Sequence, residues 1–234
     1  MNVNTLRKSP TNSEADNQDT VVNILGSLLD TSQSGEKDAL QVHTDEMFLQ
    51  DLKDRVLWID LEIAINQSDL APTILNLEKQ IIAWNREDKG KPVEERKPIK
   101  LFIYSFGGDL DATMSFVSVM QVSKTPIYTY NMGLAFSGAF LILVNGHKRF
   151  ALNWSKGLYH EGSAQIQGSA EEVRSGQADY ERQIKAMKQN IVERTKIEMK
   201  TLNKYKDSQW YIPANQLVEL GVVDELITDI DQIC

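Results

Sequence analysis

The sequence predicts an α/β fold with a largely parallel sheet, because apolar segments of strand character alternate with segments of helical character. Ile99–Tyr104 (IKLFIY) predicts a buried strand. Asp109–Val122 predicts the helix that follows, with Asp109 and Asp111 at its electropositive first turn. Pro126–Asn131 (PIYTYN) predicts the next strand. This alternation is typical of layered α/β proteins.

The same alternation continues on both sides of this unit. Apolar residues at spacings of 3, 4 and 3 predict a helix over Asp69–Trp84. Further elements are strands at Arg55–Asp60, Lys148–Leu152 and Gly157–Glu161, a buried helix at Ala139–Val144, and a helix, a glycine stop at Gly221 and a last strand within Tyr211–Thr228. Between two of these elements, Asn85–Lys97 is charged, contains Gly and Pro, and predicts an exposed loop.

The N-terminal region differs in composition from the rest of the chain. Residues 1–45 are rich in Ser, Thr, Asn, Asp and Gln, and predict a mobile tail with one short amphipathic segment at Val21–Leu29. A docking arm and a removable propeptide remain alternatives for this tail. Residues 46–234 are predicted to form the folded domain.

Charge and cysteine content exclude several classes of function. The 234 residues carry a formal net charge of −8, which argues against nucleic acid or an anionic membrane as a partner. Cys234 is the only cysteine, which excludes an internal disulfide and a cysteine-based zinc site. The N-terminus lacks the apolar core of a secretory signal, and the run Met132–Gly146 is shorter than the about 20 residues of a membrane helix. We therefore expect a cytoplasmic protein.

No metal or cofactor is expected from the motifs. The chain contains neither a P-loop nor a GxGxxG sequence. Asp109 and Asp111 are interpreted as helix-start residues and not as a metal pair. Glu171 and Glu172 are interpreted in the same way, as the start of a long helix.

That long helix carries a heptad-like apolar stripe. Its members recur at spacings of 7, 4, 3 and 4 residues, and are Val173, Tyr180, Ile184, Met187 and Ile191. Such a stripe packs either on its own domain or on a partner helix.

Two predicted turns place glycine between a strand and a helix, Gly107–Gly108 and Ser137–Gly138. Unpaired N–H groups of two such turns, if they face one cleft, can bind a negatively charged oxygen. Ser137, within the apolar run NMGLAFSGAF, would then be placed to attack a carbonyl. Serine needs a base, and His160, which ends the apolar strand GLYH, is the strongest candidate.

Alternative interpretations stay open on these residues alone. Ser137 can be a small residue at a tight packing point, and His160 a hydrogen-bonded core histidine. The other two histidines are weaker candidates, because His43 lies in the polar tail and His147 in the turn-like sequence NGHKR.

Several motifs resemble the family of the Clp protease proteolytic subunit (ClpP). IYSFGGDLDA resembles its Y-I-N-S-P-G-G segment, and GLAFSGAFLILVNGHKRFAL its G-x-A-A-S-M-G-A-F-L-L-x-x-G…K-R-x-x-L segment. LYHEGS, AQIQGSAEEV and IPANQLVELGVVDELI resemble its M-I-H-Q-P, G-x-x-G-x-A-x-D-I and L-S-A-x-E-A-x-x-Y-G-L-V-D-x-I segments. The resemblance extends over about Arg55 to Ile227, with an apparent insertion at Asn85–Lys97.

The resemblance implies a crotonase-like α/β fold with stacked sheet layers, flanking helices and a protruding handle helix. It implies a serine endopeptidase in which Ser137 is the nucleophile, His160 is the general base, and the N–H groups of Gly108 and Gly138 hold the oxyanion. It also implies a ring of seven subunits, single or stacked in pairs through the long helix. An ATP-driven AAA+ unfoldase would feed peptide or unfolded protein substrates into this ring.

The chain departs from the family pattern at four places. Phe106 replaces the proline before the double glycine, Gly138 replaces the methionine after the serine, and Ala139 replaces the glycine that follows. Counted without a gap, the family's orienting aspartate falls on Gln209, and the nearest carboxylate is Asp207. A local shift would make Asp207 the third member, and otherwise the Gln209 amide oxygen could accept the His160 Nδ1–H.

Three other functions remain as alternatives. The chain could be a catalytically weak or inactive structural subunit of a mixed ring, or a phage-type protease that processes capsid or scaffold proteins. It could also be an acyl-CoA hydratase or isomerase of the same fold, a class that usually uses glutamate as acid and base. The Ser137 and His160 pair favours a peptidase over this last class.

Overall fold

The computed structural model describes residues 39–60, 62–64 and 74–233, and side chains from residue 46 onward. The chain divides into two compact units, Met1–Glu46 and Met47–Cys234. Helix α1 spans Ala39–Asp54. The predicted tail over residues 1–45 lies almost wholly outside the described residues, as do Val21–Leu29 and Cys234, and the described residues 39–45 are helical.

Beyond α1, six helices and seven strands make up the described fold. The strands are β1 (Val56–Ile59), β2 (Ile99–Ser105), β3 (Ile127–Phe136), β4 (Lys148–Leu152), β5 (Lys156–Tyr159), β6 (Trp210–Pro213) and β7 (Glu225–Ile227). The helices are α2 (Ile74–Glu87), α3 (Leu110–Val122), α4 (Gly138–Val144), α5 (Ala170–Arg194), α6 (Met199–Lys204) and α7 (Ala214–Glu219). Single 3₁₀ turns occupy Val93–Glu95 and Ile230–Gln232.

The strands form one sheet that is parallel except at one strand. Its order is β1-β2-β3-β4-β7, and all four pairings along this path are parallel. Strand β5 pairs in parallel with β3, and β6 pairs with β5 in antiparallel orientation. The predicted α/β fold with a largely parallel sheet is confirmed, whereas β6 was not predicted.

Strand β3 changes partner along its length. Its first half pairs with β4 through Tyr128–Asn131, and its last three residues pair with β5. Asn131 is fully buried at the change of partner. Its Nδ2 donates to Lys156 O at 3.0 Å, and its Oδ1 accepts from Gly133 N at 3.1 Å. This amide therefore satisfies backbone groups that the divergence of β4 and β5 would leave unpaired.

The apolar core lies between the sheet and its helices. Helix α4 is buried along its whole length, as the uncharged sequence GAFLILV requires. A second, smaller apolar cluster contains the rings of Phe102, Tyr130 and Phe150, with neighbouring centroids 4.8 to 5.0 Å apart. The more exposed Trp58 ring packs edge-on against Phe102 at 4.7 Å.

The segment Asn85–Lys97 is exposed over most of its length, as predicted. The prediction is wrong at two points, because α2 continues through Glu87, and Asp88 and Arg96 are buried. The reason is a buried ion pair that the local composition does not reveal. The Asp88 carboxylate accepts hydrogen bonds from the Arg55 guanidinium at 2.5 and 3.0 Å and from the Thr125 hydroxyl at 3.0 Å.

We expect Asp88→Ala to lower the free energy of unfolding by up to about 3–5 kcal/mol, because it removes the closer and more deeply buried of the two carboxylates that pair with the buried Arg55 and leaves only Glu87, at 3.2 Å. Asp54→Ala is the matched control, since Asp54 pairs with Lys97 where both side chains are half exposed, and it should have a much smaller effect. The Arg55 guanidinium holds the pKa of Asp88 well below its usual range. Its contribution is therefore present above the usual carboxyl pKa and lost as the pH falls towards the lowered value. Urea unfolding at pH 7 measures the difference, and equal losses for the two variants would contradict it.

The structure shows that part of the apolar stripe on helix α5 packs on its own domain. Ile184, Met187 and Ile191 are buried against the chain's own core, whereas most of the first half of the helix is exposed. Its start is fixed by a capping box between Ser169 and Glu172, which confirms Glu172 as a helix-start residue. Within the described ranges, no helix combines the length and apolar character needed to cross a bilayer.

Candidate active site

The candidate site lies where three neighbouring parallel strands end. Ser105, the last residue of β2, pairs with Ala135 of β3. Phe136, the last residue of β3, pairs with Leu158 of β5. The residues that follow these strands therefore meet at one edge of the sheet, and they include the two glycine turns, Ser137 and His160.

Ser137 occupies a strained turn between β3 and α4. Its φ and ψ angles are 55° and −120°, a conformation that is uncommon for a residue other than glycine. Such strain costs about 1–3 kcal/mol and is concentrated at functional sites. The Ser137 N–H donates to Leu158 O at 2.9 Å, which ties the turn to β5. The turn leaves the side chain partly exposed although every residue of α4 is buried.

His160 meets this serine directly. Its Nε2 lies 2.7 Å from Ser137 Oγ, within the distance of an O–H···N hydrogen bond. Burial lowers the pKa of His160 below its ordinary value of 6.5, so the imidazole is neutral at pH 7. A neutral imidazole nitrogen at this distance can accept the hydroxyl proton and activate the oxygen as a nucleophile. The structure thus brings together the two side chains that the sequence singled out.

The first glycine turn packs against the Ser137 turn. A Cβ built on Gly107 would lie 2.8 Å from Ser137 Cβ and 2.9 Å from Gly138 N. Ile63 holds the adjoining Gly108 in place, since the Ile63 N–H donates to Gly107 O at 2.8 Å and Ile63 O accepts from the Asp109 N–H at 2.7 Å. A Cβ on Gly108, whose φ is 153°, would lie 2.0 Å from Ile63 O, so no larger residue fits.

Gly138 is required by a different neighbour. A Cβ at this position would lie 2.4 Å from Thr113 Oγ1, but 3.4 Å from Thr113 Cβ. Thr113 is fully buried on α3, and its hydroxyl donates to Asp109 O at 2.7 Å. The threonine side chain therefore fills the space that a side chain at Gly138 would need, which explains the absence of a larger residue after the serine.

Neither of the two candidates for the third residue of a catalytic triad, Asp207 and Gln209, contacts His160 in this structure. Asp207 is largely exposed, and its carboxylate lies 3.6 Å from Lys206 Nζ. Gln209 is exposed, and its Oε1 accepts from the Tyr211 hydroxyl at 2.6 Å. Within the described part of the chain, the only hydrogen bond of the imidazole is the one to Ser137. The proposed roles of Asp207 and Gln209 stay predictions that need a rearrangement of this segment.

The backbone around His160 is held from both sides. Before it, Tyr159 pairs with Trp210 in the sheet. After it, Glu161 O accepts from the Tyr180 hydroxyl at 2.7 Å, and the Glu161 carboxylate pairs with Lys188 Nζ at 2.8 Å. Helix α5 therefore fixes the segment that carries the imidazole. The sequence analysis did not predict these contacts, because they join residues 19 and 27 positions apart.

The rest of the site follows the sequence analysis in part. Asp109 caps α3 through a bond from the Ala112 N–H at 2.8 Å, as its interpretation as a helix-start residue requires. Thr113 was missed, although its spacing of four from Asp109 is typical of a hydroxyl that bonds the backbone one turn earlier. The described residues contain no group of three or more His, Cys, Asp or Glu side chains arranged to hold a metal ion.

A general base at His160 would have to be neutral, and burial lowers the pKa of His160, so this role predicts that kcat/KM for peptide cleavage rises with pH through an apparent pKa below 6.5. The rate should fall as the pH drops through that value. A carboxylate at Nδ1 would raise the pKa instead. The pH profiles of the unmutated protein, Asp207→Ala and Gln209→Ala should therefore coincide. A midpoint above 6.5 that falls in one variant would identify that residue as the third member.

Comparison with known proteins places the chain in a family. A sequence model of the Clp protease family matches residues 71–229. The chain is 29% identical over 133 residues to ATP-dependent Clp protease proteolytic subunit 2 of Treponema pallidum, covering 56% of this chain and 67% of that protein. It is 27% identical over 186 residues to subunit 2 of Corynebacterium diphtheriae, covering 79% and 87%. It is 25% identical over 207 residues to the proteolytic subunit of Dehalococcoides mccartyi, covering 88% and 94%.

The parallel sheet and its flanking helices are consistent with the ClpP-like fold that the motifs predicted. The chain belongs to the Clp protease family, and the resemblance drawn from its motifs is confirmed. It is accordingly a peptidase of the ClpP type.

Proposed function

We propose that the chain is a serine endopeptidase whose catalytic pair is Ser137 and His160. The observation that carries this proposal is the 2.7 Å distance between Ser137 Oγ and His160 Nε2 at a strained turn. The Ser137 oxygen attacks the peptide carbonyl while His160 takes its proton. His160 then gives that proton to the leaving amine, and water, activated by the same imidazole, releases the acyl group.

The developing oxyanion is held by the backbone N–H groups of Gly108 and Gly138. Within the described residues neither N–H donates a hydrogen bond, and the contact of Gly107 with Ser137 and Gly138 places the two turns side by side. Donors fixed in advance at such a position contribute about 10²–10³-fold to turnover each.

In this structure no described carboxylate hydrogen-bonds to His160 Nδ1, so the Ser137 and His160 pair acts without one. Loss of the aspartate from a triad can cost about 10⁴ in turnover, while the remaining parts keep substantial catalysis. We therefore expect slow cleavage unless the segment of Asp207 and Gln209 rearranges. Assembly into a ring of seven, or two such rings, is a setting in which neighbouring subunits could impose that rearrangement.

The proposed assembly and partner of the chain are inferred from the names of its relatives. Their names describe the proteolytic subunits of an ATP-dependent protease. We infer that this chain likewise forms a ring in the cytoplasm and receives peptides or unfolded proteins from an ATP-driven unfoldase. The exposed first half of α5 supplies a surface for stacking two rings.

One alternative has a specific observation in its favour. An inactive structural subunit of a mixed ring would need no orienting group on His160, and none contacts Nδ1 within the described residues. The acyl-CoA hydratase or isomerase alternative has less support, since that chemistry does not call for the contact between Ser137 Oγ and His160 Nε2.

The test is hydrolysis of fluorogenic peptides and of unfolded casein by the purified assembled protein, with acyl-CoA thioesters assayed in parallel. We expect peptide cleavage that Ser137→Ala abolishes. Acyl-CoA turnover that survives Ser137→Ala would favour the hydratase, and absence of any turnover by the unmutated protein would favour the structural subunit.

A further inference from the structure

A buried amide holds the end of α4 that lies away from Ser137. Asn145, the residue that follows α4, is 2% exposed. Its Nδ2 donates to Leu141 O and to Asn190 Oδ1, both at 2.8 Å. Its Oδ1 accepts from Gln121 Nε2 at 3.1 Å and from Asn190 Nδ2 at 3.3 Å. The Asn145 side chain thereby links α4 to Gln121 on α3 and to Asn190 on α5.

The same end of α4 is capped by a cation from α5. Arg194, the last residue of α5, donates from Nε to Val144 O at 3.2 Å. Its Nη2 donates to Asn145 O at 3.0 Å and to Gly146 O at 2.7 Å. The last carbonyl groups of a helix lack partners within the helix and carry partial negative charge, so a guanidinium there both bonds them and complements the helix dipole. We call Asn145, Asn190 and Arg194 the α4 anchor.

The α4 anchor supplies directional contacts that α4 itself lacks. All seven residues of α4 are buried, and their sequence, GAFLILV, is apolar throughout. Apolar burial is non-directional, whereas a hydrogen bond requires a defined distance and angle. Because an unpaired buried amide is costly, a shift of α4 that broke the bonds of Asn145 would be unfavourable.

The helix held in this way carries the proposed nucleophile at its other end. Ser137 directly precedes α4, whose seven residues span about 10 Å. His160 follows β5 and not α4, so a movement of α4 changes the distance between Ser137 Oγ and His160 Nε2. Backbone strain like that of Ser137 persists only where the surrounding structure holds it. The bond from the Ser137 N–H to Leu158 O holds one side of the strained turn, and the α4 anchor holds the helix on its other side.

We propose that the three residues of the α4 anchor are positioning residues for peptide cleavage, which act through α4 to keep Ser137 Oγ at bonding distance from His160 Nε2. The inference rests on the proposed function and adds to it residues that the sequence motifs did not indicate. A displacement of reacting groups by about 1 Å can cost about 10²-fold in rate. A small movement of α4 is therefore enough to slow the reaction.

The test uses Arg194→Met and Asn190→Ala in the full chain, because both residues lie nearer the surface than Asn145. We expect each variant to lower kcat for one fluorogenic peptide about 10- to 100-fold, with KM changed less than about twofold. The rate constant for phosphonylation of Ser137 by a fluorophosphonate should fall in parallel, since it depends on the same activated oxygen. Arg194→Lys keeps a cation that can bond the same carbonyl groups, so it should recover most of both rates.

Arg149→Met is the matched control. Arg149 also bonds the end of α5, since its Nη1 donates to Arg194 O and to Gly221 O, both at 2.8 Å, and its Nη2 pairs with Asp224 at 2.6 Å. Within the described residues, none of its hydrogen bonds reaches α4. Arg149→Met should therefore lose stability, measured by urea unfolding, while it keeps kcat and the labelling rate.

The outcomes separate this inference from the proposed function. Lower kcat and slower labelling in Arg194→Met and Asn190→Ala, with recovery in Arg194→Lys and no loss in Arg149→Met, support the α4 anchor. Unchanged rates in both variants, or losses that follow stability equally in Arg149→Met, overturn the positioning role and leave the peptidase intact. If the unmutated, assembled protein neither cleaves peptides nor takes the label, the proposed function and the inference fall together.

Discussion

Replacement of either Ser137 or His160 by alanine is expected to lower kcat for peptide cleavage by about 10²-fold in the arrangement seen, and by up to about 10⁶-fold if a carboxylate joins His160, and replacement of both by no more than either alone. The reason is that a nucleophile and its base act together, so once one of them is removed the other no longer contributes to the rate. The 2.7 Å contact between Ser137 Oγ and His160 Nε2 makes this the expected behaviour. Single-turnover kinetics on one fluorogenic peptide would measure the three variants.

The control for this cycle is Ser118→Ala. Ser118 is an exposed serine on α3 whose hydroxyl donates to Met114 O at 2.7 Å. It is a serine like Ser137 but lies outside the candidate active site. Its loss should leave the rate nearly unchanged. If the Ser137 and His160 effects instead multiply in the double variant, the two residues act independently and the proposed pairing is wrong.

Gly138→Ala is expected to reduce kcat about 10²–10³-fold, the cost of displacing one oxyanion donor. The added Cβ would lie 2.4 Å from Thr113 Oγ1, so the backbone of Gly138 must move and carry its N–H away from the reacting carbonyl. Steady-state kinetics should show the loss in kcat, because the donor acts in the transition state.

A second substitution should restore the rate. Thr113→Ala removes the hydroxyl and methyl groups and leaves Thr113 Cβ at 3.4 Å from the new Cβ, an ordinary van der Waals contact. We therefore expect the double variant Thr113→Ala/Gly138→Ala to recover most of the loss. Thr113→Ala alone measures the cost of the hydrogen bond to Asp109 O. A double variant no more active than Gly138→Ala would show that the loss has another cause than this overlap.

Much of the fold was predictable, because local signals and packing agree. The strand at Ile99–Tyr104 and the helix capped by Asp109 carry both apolar pattern and terminal chemistry, and both are confirmed. The buried position of Asp88 could not be predicted, since its partners Arg55 and Thr125 lie 33 and 37 residues away in the chain. The switch of β3 from pairing with β4 to pairing with β5 could not be predicted either, since it depends on contacts between Asn131 and strands that come later in the chain.

Two residues of the candidate site were indicated by the sequence, but their geometry was not. Motif order indicated Ser137 and His160, while their distance depends on the pairing of β3 with β5. The fit of Gly138 against Thr113 was hidden, because the two residues lie far apart in the chain and meet only in the folded structure.

The most direct test of the account is the site of modification by a fluorophosphonate, a reagent that phosphonylates activated serines. Tryptic cleavage at Lys124 and Lys148 releases residues 125–148, a peptide in which Ser137 is the only serine. The account predicts that mass spectrometry of the assembled, labelled protein finds the adduct on Ser137, and that His160→Ala prevents labelling. An adduct on another residue, or a Ser137 peptide that stays unmodified in the assembled protein, would contradict it.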